Sequence, residues 1–158
     1  MVAPGKLQRR VPVRLAASFL LVWTMGCGDP FFGIAGGQLS GAAADVPPTW
    51  VPYNDVETVQ LETRPEDPYS VNVWGVGTRE VYFVASGRGT ESAWAQHLIQ
   101  DPRVRLQIGE RVYELRAVRA DSWRDRRRYK AMSQHKYDDF DSAFEDFGTA
   151  IVFRLEPR

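Results

Sequence analysis

From residue 57 onward, apolar and polar positions alternate in short runs, and the period of two gives way to a helical one only twice. "ETVQLETR" (57–64) sets Thr58, Gln60 and Glu62 against Val59, Leu61 and Thr63, the pattern of a half-buried strand. "PEDP" (65–68) forces a turn. "YSVNVWGV" (69–76) alternates again, with Val71, Val73 and Gly75 opposite Asn72, Trp74 and Val76. "VGTRE" reads as a hairpin turn, which would also account for the glycines of "GVG" (75–77). "EVYFVAS" (80–86) is a nearly continuous apolar strand suited to the centre of a sheet.

The first change of period falls in "GRGTESAWAQHLIQDP" (87–102). Thr90 or Ser92 can cap a short helix there, Trp94, His97 and Leu98 recur at helical spacing, and Asp101-Pro102 ends it. "RVRLQIG" (103–109) and "RVYELRAVRA" (111–120) return to alternation across a tight turn at Gly109-Glu110. Val104, Leu106 and Ile108 face inward on the first; Tyr113, Leu115 and Ala117 oppose Val112, Glu114 and Arg116 on the second. Asp121-Ser122 opens a helical region reaching Phe147, with a break near Asp138. Its inner stripe is Tyr129, Met132, Lys136, Phe140, Phe144 and Phe147. "TAIVFRLEP" (149–157) supplies the last strand. Many hairpins and few crossover helices predict a β-rich α+β domain over 57–158: an antiparallel sheet curled into a small barrel, with a short helix after strand 3 and a longer helical region before the last strand.

The first 56 residues obey a different logic. "MVAPGKLQRRVPVR" carries Lys6, Arg9, Arg10 and Arg14 with no acidic residue, and "LAASFLLVWTMG" adds an apolar run too short to span a bilayer. Residues 1–26 therefore read as a signal peptide. The run stops at Cys27, the single cysteine of the chain, which cannot form an internal disulfide. Cleavage just before it matches the bacterial lipoprotein pattern, with Cys27 lipidated and the protein extracytoplasmic, held to a membrane of the cell envelope. Ordinary secretion and a retained anchor are the alternatives. Residues 27–56 are rich in Gly, Ala and Pro without an apolar period, and predict a mostly disordered tether, with Trp50 and Tyr53 placed to latch onto the domain.

Removing the leader changes the charge. The chain has 20 basic and 20 acidic residues; four of the basic ones precede Cys27 and none of the acidic ones do, so residues 27–158 carry 16 against 20, a net charge of −4. Such a body gives no reason to expect nucleic acid as a partner. "RDRRRYK" (124–130) is the exception, and the acidic "DDFDSAFED" (138–146) after it offsets it on one helical region, so both read as solvated charge and a polyanion site is not expected there. His97 and His135 have no metal-ligand spacing, and no GxSxG elbow occurs.

The stretch 81–120, "VYFVASGRGTESAWAQHLIQDPRVRLQIGERVYELRAVRA", resembles the split β-barrel proteins that include pyridoxamine-phosphate-oxidase-like flavin proteins and the deazaflavin-dependent nitroreductases of bacteria. The features that carry the resemblance are Ser86, Gly87, Gly89, Trp94, Asp101-Pro102, Val104 and Leu106, together with the closing "IVFRLEP". It implies FMN or a deazaflavin as cofactor, hydride transfer to a quinone-like or nitroaromatic acceptor, and a homodimer. Where the nitroreductases carry a basic, glycine-containing segment, this chain has "TRPEDPYS", whose acidic residues would repel a phosphate. The remaining candidate cradle is Ser86, Gly87, Arg88, Gly89, Thr90 and Ser92, with a helix starting behind it, Trp94 beside it and Arg103 on the next strand. A plain strand-to-helix turn explains the same residues. Trp74 and Trp94 suit either the wall of a flat-ring pocket or the core. The alternative function is a non-catalytic split-barrel lipoprotein that binds a small ligand or an envelope partner.

Overall fold

A computed structural model describes residues 34–138, 140–143 and 148–158. The expected signal peptide, Cys27, Phe144 and Phe147 lie outside them. The strands are β1 (Ala42–Ala43), β2 (Thr58–Thr63), β3 (Tyr69–Gly77), β4 (Tyr82–Ser86), β5 (Arg103–Ile108), β6 (Arg111–Arg119) and β7 (Ile151–Pro157). The helices are α1 (Ala93–Gln100), α2 (Trp123–Lys136) and α3 (Phe140–Ala143). All pairings among β2–β7 are antiparallel, in the order β6-β5-β2-β3-β4-β7, and β7 pairs back onto β6, which closes the sheet into a barrel. Among the described residues, closure leaves none of these six strands as a free edge to recruit a foreign strand.

Alternation explains the interior. Val59 and Leu61, Val104 and Leu106, Tyr113 and Leu115, and Phe153 and Leu155 all point inward and are buried with Tyr82 and Val84. A second apolar cluster lies outside the barrel wall, where Tyr129, Tyr137 and Phe140 cover Val76, Phe83 and Val152. The near-continuous apolar run of β4 is thereby accounted for: Tyr82 and Val84 face the interior while Phe83 faces α2. Ser122 caps α2 by accepting the Asp125 amide at 3.1 Å. The expected interruption of the helical region is present, since α2 ends at Lys136 and α3 starts at Phe140.

Three expectations are corrected. "GVG" (75–77) is not a turn but the end of β3, with Gly75 opposite Val84 and Gly77 opposite Tyr82. Glycine is needed at 77 because a Cβ there would overlap the Trp50 backbone carbonyl. Thr90 lies in a 3-10 turn (Gly89–Glu91); Ser92 occupies the N-cap of α1 without a side-chain capping bond. Finally, from Gly36 on, the expected tether is laid over the barrel.

That strap is held by polar and apolar groups alike. Gly36 exchanges backbone bonds with Ser70 at 2.9 and 3.0 Å, and the Leu39 amide donates to the Glu62 carboxylate at 2.6 Å. Glu62 is only 3% exposed and is met by Arg105 at 2.9 Å. β1 runs parallel to β6, and Trp50, fully buried, packs its ring against Tyr53, Tyr82 and Tyr113. The Asn54 side-chain amide pairs with both the amide and the carbonyl of Gly77, at 2.7 and 3.0 Å. Backbone and side-chain hydrogen bonds of this kind leave no periodic trace in a sequence, and the apolar residues of the strap, Leu39, Ala44, Val46, Trp50 and Tyr53, follow no fixed period.

Candidate functional site

The turn between β4 and α1 meets the first half of β3 in a cleft of about 210 Å³, lined by Tyr69, Val71, Asn72, Arg88, Ser92 and Trp94. β3 positions three of these residues through its pairing with β2, Thr63 opposite Tyr69 and Leu61 opposite Val71. The turn is fixed from within. Ser86 Oγ lies 2.9 Å from the Gly89 carbonyl and 2.7 Å from Ser92 Oγ, both buried with it. One hydroxyl proton cannot serve both acceptors, so when Ser86 donates to the Gly89 carbonyl it accepts from Ser92, and the two hydroxyls form one hydrogen-bonded chain. Gly89 takes φ +54°, and a Cβ there would press on the Thr149 carbonyl; its role is close packing of the turn.

The predicted site residues are thus divided by the fold. Ser86, Gly89 and Ser92 form one hydrogen-bonded turn, and Arg88, Ser92 and Trp94 line the cleft. Gly87 is half-buried in that turn, and Thr90 is exposed, its carbonyl accepting from the Gln96 side chain. Arg103 is not brought to the cleft. Its guanidinium binds Asp101 at 2.7 Å and Glu66 at 3.2 Å, and the hydrogen bonds from Arg103 hold the Asp101 carboxyl below the usual carboxylate range. The acidic turn, expected to repel a phosphate, is therefore countered: Glu66 pairs with Arg103, and Asp67 with Arg64 at 3.1 Å. Trp94 is 8% exposed and packs on Phe153, so it is a core residue that also forms part of the cleft wall.

The donors at the cleft suit an anionic group. Arg88 is exposed at its rim; Ser92 does not cap α1 with its side chain, and the Ala95 amide is held by the Ser92 carbonyl at 3.1 Å. Tyr69, Val71 and Trp94 offer apolar surface beside them. Behind Tyr69 stand Arg64, 5.5 Å above its ring, and His97, whose ring meets that of Tyr69 edge-on at 5.0 Å. His97 Nδ1 is 3.0 Å from Thr63 Oγ1; burial, with help from the Arg64 charge, lowers the pKa of the imidazole. Arg64 sits at φ +56°, a left-handed conformation that an arginine adopts only under local constraint, here at the turn between β2 and β3.

A second groove, of about 340 Å³, lies where α2 ends, between Asn54, Glu57, Trp74, Lys136 and Tyr137. The Trp74 and Tyr137 rings stack at 4.6 Å, only 8° from parallel. Lys136 Nζ donates to the Val56 and Gly75 carbonyls at 2.7 and 2.8 Å. Tyr137 Oη accepts from the Gly75 amide at 2.9 Å and lies 2.8 Å from the Glu57 and Gly75 carbonyls. Burial lowers the Lys136 pKa to about 8 and raises that of Tyr137 to about 12. Sequence reasoning placed Lys136 on the inner helix stripe but missed this groove; a lysine at a core-facing helical position was the available signal. The stacked rings cover each other and the ammonium is engaged by two carbonyls, so the groove fastens the strap and α2 to the barrel.

No known protein family matches the sequence, and no curated protein does. Solved structures do. HutZ, the heme storage protein of Vibrio cholerae, is 18% identical with a TM-score of 0.54, over 68% of this chain and 86% of its own. A Listeria innocua protein named for pyridoxamine 5′-phosphate oxidase is 15% identical with a TM-score of 0.53, over 67% and 87%. An FAD-binding protein of Mesorhizobium loti is 14% identical with a TM-score of 0.52, over 67% and 84%. The fold is a split β-barrel. At these identities the likeness is one of architecture, and the chemistry must be argued from this chain's own residues.

Proposed function

We propose that this split barrel binds a flavin, FMN or a deazaflavin, in the cleft between β3 and the β4–α1 turn, and that it is an envelope lipoprotein acylated at Cys27. The observation that carries the flavin reading is the convergence of Arg88, Ser92 and the start of α1 on one cleft with Tyr69, Val71 and Trp94. An anionic tail and a planar ring need those two kinds of surface side by side. The FAD-binding neighbour and the neighbour named for pyridoxamine 5′-phosphate oxidase support the same ligand class on the same architecture. A bound flavin supplies the hydride chemistry, with quinone-like or nitroaromatic compounds as acceptors. The protein's part is to hold the anionic end with Arg88 and Ser92, to seat the ring against Tyr69 and Val71, and to exclude water with Trp94. A second copy of the chain would cover the open side of the cleft.

Thermal unfolding of the chain from residue 28, with FMN and separately with a deazaflavin, tests this. A ligand at 100 times its dissociation constant adds about 2.7 kcal/mol of stability. Arg88→Ala should weaken binding about tenfold, as loss of one charge-assisted hydrogen bond does, while Arg103→Ala leaves it unchanged. No stabilisation by either compound favours the alternative, a binding module for another small ligand or an envelope partner. Mass spectrometry of the mature N-terminus reads the anchor directly; an unmodified Cys27 thiol rejects it.

A further inference from the structure

The outward face of α2 combines an unburied aromatic with a row of cations. Trp123 is 67% exposed, and Arg124, Arg127 and Arg128 are exposed beside it. At 100° per residue these four side chains fall within one arc, opposite Tyr129 and Ser133, which are buried against the barrel. Among the described residues, the nearby countercharges are weakly placed: Glu80 meets Arg128 only at 3.7 Å and is 77% exposed, and Asp121 is engaged by Arg119 at 3.1 Å. Asp125, on the flank of the helix, is turned to Arg154.

We propose that this face docks onto an anionic phospholipid surface, with Trp123 at headgroup depth and the three arginines on lipid phosphates. Two features select a bilayer over a nucleic acid. The chain beyond the leader is net negative and gives no general reason to bind nucleic acid, while this face gathers three exposed arginines on one helix. Tryptophan flanked by arginine suits the boundary between headgroups and acyl chains, where an apolar ring and a solvated cation are both accommodated. The packed strap adds a geometrical reason. Cys27 and Gly36 are nine residues apart, at most about 32 Å of extended chain, and Gly36 is fixed to the barrel at Ser70. An acylated Cys27, as proposed above, therefore keeps the barrel within reach of the lipid surface.

The test uses the chain from residue 28 without lipid, so that acylation contributes nothing; the barrel and both apolar clusters lie within the residues it retains. Co-sedimentation is measured with vesicles of phosphatidylglycerol and phosphatidylcholine, and with phosphatidylcholine alone. Binding to the anionic vesicles, weakened by salt and lowered roughly 100-fold by Arg124→Gln, Arg127→Gln and Arg128→Gln together, is expected. Trp123→Ala should abolish the fluorescence blue shift on those vesicles without altering the circular dichroism of the protein. Equal binding to both vesicle types, no binding to either, or preferential binding of an oligonucleotide at the same salt would overturn the proposal. Failure of flavin binding or of acylation is read by the separate experiments above and leaves this outcome unaffected.

Discussion

At the scale of single residues, Lys136 shows how burial sets a measurable property. Its ammonium is half-buried, and desolvation lowers its pKa to about 8 against the pull of Glu57 and Asp55. In the unfolded chain the group titrates at about 10.4. Between those values the unfolded state binds more protons than the folded one, so the contribution of Lys136 to stability rises with pH across that interval. Geometry permits the change, because a neutral amine keeps two N–H groups for the Val56 and Gly75 carbonyls. We expect the stability of the wild type relative to Lys136→Met to increase by about 1 kcal/mol from about pH 7.5 to about pH 10, after allowance for the exposed half of the side chain. Urea denaturation at the two pH values measures it, and parallel curves for the two proteins would contradict it. Tyr137, raised to about 12, acts only from about pH 10 upward, where the unfolded phenol begins to ionise, and it is present in both proteins, so it drops out of the comparison.

At the scale of elements, the strap from Gly36 to Asp55 decides where the domain begins. A chain starting at residue 57 contains every long strand, and a reading of periodicity ends the domain there. The structure shows what such a chain would lose: the Trp50 ring among three tyrosines, Leu39 over Glu62, and the Asn54 pairing with Gly77. Trp50→Ala should cost about 3–5 kcal/mol, the usual penalty for deleting a fully buried large aromatic. The chain from 57 should show no near-ultraviolet circular dichroism, while the chain from 34 should unfold with the wild-type midpoint; an unchanged midpoint for the shorter chain would make the strap dispensable. The barrel strands were legible because β2, β3, β5 and β6 announce themselves by alternation. The strap was legible only at Trp50 and Tyr53, which latch onto the barrel as expected; the rest was not, because glycine, alanine and proline carry no period and its bonds are made by lone residues such as Asn54. The candidate cleft was legible in half: "SGRGTES" marks a strand-to-helix turn, and Arg88 and Ser92 do meet at a cleft. Which cations can serve it depends on tertiary pairing, and Arg103 is drawn to Asp101 and Glu66 instead.

For the whole molecule, the governing feature is that β7 is the seam. It pairs with β4 from Ser86 to Tyr82 on one side and with β6 from Arg119 to Leu115 on the other, so the closure of the barrel depends on this one strand. Phe153 and Leu155 fill the barrel interior while Val152 reaches the outer cluster beneath α2. Arg154, paired with Asp125 and Glu156, links the seam to the helix. A chain ending at Thr149 therefore leaves two strand edges bare and both apolar clusters incomplete, a loss no local rearrangement offsets. Such a chain should lack a cooperative urea transition. A synthetic peptide of residues 149–158, added in trans, should restore one with a midpoint that rises with peptide concentration, as binding to the folded state alone requires. A truncated chain that unfolds cooperatively without the peptide would mean that the barrel is an open sheet whose closure contributes little.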